Sequence, residues 1–110
     1  MALATTKVMR LSAAHDAGRV INPLLAEGQV EGGVAQGLGM ALMEEYISGR
    51  TDNLHDYLIP TIGDVPDVKT TFIEDTDPHG PYGAKGLGEH ALIPTAPAIL
   101  NAIARAIPQP

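Results

Sequence analysis

Four stretches of the chain carry a regular alternation of apolar and polar positions. Lys7 to Ala14 (KVMRLSAA) alternates over a short run and reads as a strand. From Glu27 to Tyr46, Val30, Val34, Leu38, Leu42 and Tyr46 recur every fourth residue, which lines one side of a helix. Gly49, with Arg50 beside it, is the expected stop, and Gly18 and Asn22-Pro23 before it read as breakers. Val68 to Asp75 (VKTTFIED) is β-branched and aromatic and reads as a second strand. Thr95 to about Ile107 is a closing helix, with Thr95 as N-cap, Pro97 in the tolerant first turn, and Ala96, Ile99, Leu100, Ile103 and Ile107 as its buried stripe. The order β, α, β, α, with two main helices and short strands, predicts an α+β fold.

Two features break this pattern. The first helix holds Gly28, Gly32, Gly33, Gly37 and Gly39, and each interior glycine costs about 0.5–1 kcal/mol against alanine. Gln29, Gly32, Gly33 and Gln36 share one face at i, i+3, i+4 and i+7. That face either packs closely against another helix, with two solvated glutamines, or lets a backbone or flat ligand approach between two carboxamides. The remaining faces do not separate into polar and apolar, which predicts a helix buried on several sides and a chain lacking part of its surroundings. The second feature is the loop from Asp77 to Gly88, with Gly80, Gly83, Gly86 and Gly88, followed at once by Glu89. Its glycines open backbone amides to an anion or a tightly held ligand, at a spacing that matches neither a P-loop nor a dinucleotide fingerprint. Glu89 is either a solvated or capping residue, or a carboxylate against an apolar pocket, able to act as a base near neutral pH.

Composition narrows the chemistry. The 110 residues allow one domain at most, and 7 basic against 13 acidic side chains give a net charge of −6. An acidic surface argues against nucleic acid or an anionic membrane as partner. With no cysteine, thiolate metal sites, iron–sulfur clusters and cysteine nucleophiles are excluded. Ser12 and Ser48 lack a nucleophile elbow. His15, His55, His79 and His90 show no metal-ligand spacing and read as surface or locally bonded histidines, and Lys85 reads as solvated or as an anion contact in the glycine loop. Pro94, Pro97 and Arg105 interrupt the longest apolar run, and the N-terminus lacks a signal-peptide layout, so no membrane association and cytoplasmic residence are expected.

The motifs HDAGRVINPLLAEGQVEGGVAQGLGMALMEE, DYLIPTIGDVPDV and GPYGAKGLGEHALIPTAPAILNAIARA resemble, in order from Lys7 to Ala106, the C-terminal end of the molybdenum-binding subunit of the xanthine dehydrogenase and aldehyde oxidase family. The resemblance implies that residues 1–110 form a single segment, the C-terminal portion of a larger molybdopterin-binding domain. It implies a molybdenum–pterin cofactor shared with the rest of the enzyme and held through the pterin, with no side chain of the chain on the metal. The glutamate of the family's GxGE motif acts as general base, and that position is Glu89, preceded by Gly88 as a cofactor-binding residue. Gln29, in GQVEG, matches a residue that hydrogen-bonds near metal and cofactor. Gln36 and Lys85 match family positions without a firm role, and His90 stands where the family frequently has proline.

The resemblance further implies 2Fe–2S centres and FAD on other chains or segments. The expected partners are the remaining molybdenum-binding portion, the iron–sulfur and FAD subunits, and a small-molecule substrate, either an aldehyde or an N-heterocycle hydroxylated with water-derived oxygen. The chain alone is expected to be inactive. The alternative is a non-catalytic structural or assembly module, or an inactive fragment, of the same family.

Overall fold

The computed structural model describes residues 5–107; the two ends of the 1–110 segment, residues 1–4 and 108–110, lie outside the described residues. Two strands, β1 (Arg10–Asp16) and β2 (Asp67–Ile73), pair in parallel with Arg10 opposite Asp67 and Asp16 opposite Ile73. A parallel pair needs a long crossover, and helix α1 (Pro23–Leu42) supplies its helical part. Two short 3-10 turns, Pro81–Gly83 and Glu89–Ala91, precede helix α2 (Thr95–Ala106). The α+β class is observed.

Alternation along the strands puts Leu11, Ala13 and His15 of β1 beside Val68, Thr70 and Phe72 of β2 on one inner face. The i, i+4 repeat of α1 packs on that face. Val30 and Val34 are wholly buried and form the centre with Ala91, flanked by Leu11, Ala13, Val68, Phe72 and Leu87. Each valine contributes about 1.5–3 kcal/mol by its burial.

The first helix starts and stops four residues earlier than the sequence pattern suggests. Asn22 and Pro23 begin it: the Asn22 Oδ1 accepts from the Leu25 N–H at 3.1 Å, and Pro23 occupies the first turn, where a missing N–H costs nothing. At the other end the Met43 and Glu44 N–H groups both donate to the Gly39 carbonyl, and the Glu44 carboxylate accepts from the Tyr57 hydroxyl at 2.6 Å. The chain therefore turns back at residue 43, and Tyr46 is exposed rather than part of the buried stripe. Burial on several sides is not observed either, since Leu24, Leu25 and Met40 face outward.

In α2, Thr95 is the first helical residue rather than the cap. Its hydroxyl donates to the Ala91 carbonyl at 3.2 Å. Of the expected stripe only Ile99 is buried, while Leu100 and Ile107 are exposed. A monomer of this mass exposes about 5,800 Å² when compact, yet the chain exposes 8255 Å². Its radius of gyration is 16.8 Å against about 13 Å for a compact chain of this length. Much apolar surface is left without a partner inside the chain.

Candidate functional site

The site lies where the end of β1, the first half of α1 and the glycine loop meet. As β1 ends, the Asp16 carboxylate accepts from the Gly18 N–H at 2.9 Å, and Gly18 takes a left-handed conformation (φ 57°) that turns the chain. Residues 17–19 then pair antiparallel with 83–85: Lys85 N–H donates to Ala17 and Arg19 N–H to Gly83, each at 2.9 Å. The Lys85 ammonium reaches Asp16 at 2.5 Å and Asp75 at 3.4 Å. These contacts hold the Asp16 carboxyl below the usual carboxylate range and the Lys85 ammonium above its own. Lys85 is thus a part-exposed strut of the loop, its ammonium paired with two carboxylates. The Gly83 carbonyl also accepts from Asp77 N–H at 3.1 Å, and the Asp77 carboxylate from His79 N–H at 2.8 Å. The first half of the loop satisfies its polar groups internally.

Gln29 is exposed on α1 and lines a cleft of about 310 Å³ with Arg19, Ala26, Lys85 and Leu87. One helical turn further, Gly33 receives the second half of the loop. A Cβ at Gly33 would sit 2.9 Å from the Ala91 Cβ and 3.1 Å from Leu92 N, and one at Gly37 would sit 2.5 Å from the Thr95 Cβ. The bare backbone at these positions seats the Glu89–Ala91 turn and the start of α2. At Gly28 and Gly32 a Cβ would meet nothing within 4 Å. Close packing is therefore realised at Gly33 and Gly37, while Gly28 and Gly32 leave open space beside Gln29. Gln36 is exposed.

Gly88 is half-buried, and Glu89 opens the turn with its side chain exposed. Instead of facing an apolar pocket of this chain, Glu89 stands on an open surface at the start of the turn.

The histidines divide in a way the sequence pattern does not reveal. His15 is only 7% exposed, and its ring meets that of His90 edge to face, centroids 5.4 Å apart and planes inclined at 62°. Burial, and then the charge of a protonated His90, lower the His15 pKa. The His90 Nδ1 accepts from the Gly88 N–H at 3.4 Å. Nε2 of both rings is buried without a hydrogen-bond partner among the described residues. The expectation of surface or locally bonded histidines is corrected for His15, because β1 carries it inward.

The donor set suits a polar-edged organic group better than a directly ligated metal. Among the described residues no three His, Asp or Glu side chains come together as a metal site. The carboxamide of Gln29 and the unfilled backbone at Gly28, Gly32, Gly86 and Gly88 give hydrogen-bonding groups and clearance. Among the described residues no helix is long and apolar enough to cross a membrane.

Residues 1–66 match the model of the molybdopterin cofactor-binding domain. The chain is 47% identical over 109 residues to a putative xanthine dehydrogenase molybdenum-binding subunit of Escherichia coli, covering 94% of this chain and 14% of that subunit. Among solved structures, quinoline 2-oxidoreductase from Pseudomonas putida superposes with a TM-score of 0.81 at 43% identity, covering 92% of this chain and 14% of that one. The aldehyde oxidoreductase from Desulfovibrio gigas superposes with a TM-score of 0.85 at 35% identity, covering 90% of this chain and 11% of that one.

Proposed function

The chain belongs to the molybdopterin cofactor-binding domain family, and from that premise we propose that it is one portion, residues 1–110, of the molybdenum-binding subunit of a hydroxylase acting on an aldehyde or an N-heterocycle. The cofactor, when bound, supplies the redox chemistry of hydroxylation. Gln29 offers its carboxamide to the polar edge of the pterin group, with Gly88 giving close backbone approach. The Glu89 carboxylate is the general base: one of its oxygens takes the proton lost as a water-derived oxygen attacks the substrate carbon. Because the chain spans only 14% of its relative's length, the remaining molybdenum-binding portion completes the pocket, and separate iron–sulfur and FAD subunits carry electrons away.

One observation supports this reading above others. Gly33 seats the turn that begins with Glu89 one helical turn from Gln29, while the glycines flanking Gln29 stay clear of the chain's own atoms. In the assembled enzyme, Glu89→Gln should keep molybdenum and pterin content and lower turnover by about 10²–10⁴. Full turnover in that variant rejects the base assignment. The 8255 Å² of exposed surface favours a second reading, a structural or assembly module. Under it, Glu89→Gln and Gln29→Ala leave turnover and cofactor content unchanged while removal of the chain abolishes assembly.

A further inference from the structure

The geometry points to His90, backed by the ring of His15, as the positioning residue for Glu89; this rests on the reading of Glu89 as the base. The turn Glu89–Ala91 is a single 3-10 turn, in which successive side chains leave about 120° apart. Ala91 is committed inward, 1% exposed against Gly33. His90 is committed to His15, edge to face. The third direction is the one left for Glu89, and it is the exposed one. His90 also reaches back past Glu89, because its Nδ1 accepts from the Gly88 N–H. One imidazole therefore ties the residue before Glu89 to the residue after it, while the Leu92 N–H closes the turn on the Glu89 carbonyl at 2.9 Å.

Accepting at Nδ1 requires a neutral His90 with its hydrogen on Nε2, an assignment made from the hydrogen-bond partner. Protonation would place a second donor against the Gly88 N–H and release it. The inner faces of β2 (Val68, Thr70, Phe72) and α1 (Val30, Gly33, Val34) bring no ionisable group to the two rings, nor do Thr95 and Ala98 of α2. Asp16 lies on the opposite face of β1, paired with Lys85. The only other ionisable side chain on the turn is that of Glu89 itself.

The test uses two variants of the assembled enzyme. His90→Phe keeps a ring against His15 and loses the acceptor, whereas His90→Asn restores an acceptor near the place of Nδ1. Amide exchange across residues 86–92, kcat and KM are measured, with molybdenum content as control. In His90→Phe, exchange should quicken about 2- to 3-fold, the loss of one long hydrogen bond. Its kcat should fall at unchanged KM, and His90→Asn should recover both.

Wild-type exchange and kcat in His90→Phe overturn the inference, as does His90→Asn failing as badly as His90→Phe. If Glu89→Gln is inactive while His90→Phe is unaffected, the positioning role alone falls. If Glu89→Gln keeps full turnover, the base reading falls, and the exchange measurement still decides whether His90 holds the turn.

Discussion

Gly33 of α1 and Ala91 of the following 3-10 turn lie so close that a single added methyl would bring two Cβ atoms to 2.9 Å. Ala91 is also part of the small buried centre with Val30 and Val34. Core packing and the seating of Glu89 are thus one contact.

Gly33→Ala and Gly32→Ala should therefore act in opposite directions. An alanine gains about 0.5–1 kcal/mol of helix propensity at either position. At Gly33 the overlap with Ala91 should cost about 1–3 kcal/mol by overpacking, more than that gain. At Gly32 the new methyl meets nothing within the chain. Urea unfolding of the chain should show Gly33→Ala less stable and Gly32→Ala more stable than the wild type. In the assembled enzyme Gly32→Ala should lower pterin content, if the clear strip beside Gln29 is where the cofactor lies.

Asn22 caps α1 through its side-chain oxygen on the Leu25 N–H. Asn22→Ala should destabilise the chain by about 0.5–2 kcal/mol, and Asn22→Asp should restore it, since a carboxylate accepts the same bond and suits the positive end of the helix. The midpoints of urea unfolding for the three proteins check both statements.

Acid should weaken the fold in two separate windows. The His15 pKa is lowered from 6.5 in the fold by burial and by His90, so its neutral form is the one that fits. Its contribution is complete above about pH 6.5 and is lost as pH falls below it. Asp16 is lowered from 3.8 by its bonds to Lys85 and Gly18, so its contribution holds above that value and is lost below it. Stability measured by urea unfolding across pH 3–8 should fall in two stages. His15→Phe should flatten the upper stage and Asp16→Asn the lower; a wild-type upper stage in His15→Phe removes His15 from the account.

Lys85 works in the opposite direction, its pKa raised from 10.5 by Asp16. Its contribution is present below that value and lost above it. Lys85→Met should speed amide exchange across residues 17–19 and 76–85, most clearly at Lys85 and Arg19, whose N–H groups bond across the two segments.

Periodicity in the sequence suffices for the centre of the fold, because Val30, Val34 and Leu38 pack within the chain and their spacing reports that packing. It fails at the ends of α1, where Asn22-Pro23 can stop one element or start another and only the Leu25 N–H decides. It fails again along α2, where Leu100 of the apolar stripe is exposed. Gln29, Gly88 and Glu89 are readable as motif positions, but the packing of Ala91 and Leu92 on Gly33 is not, since that contact joins residues far apart in the chain. The His15–His90 contact is hidden for the same reason.

The parallel pairing of β1 with β2 also has a consequence for synthesis. Residues 17–66 intervene between the strands, so a ribosome delivers the partner of Arg10–Asp16 only after α1 and a long loop have emerged. Until then β1 offers an unpaired edge to any neighbouring nascent chain. The pairing joins residues far apart in sequence, so it forms late and slowly compared with α1, whose contacts are local.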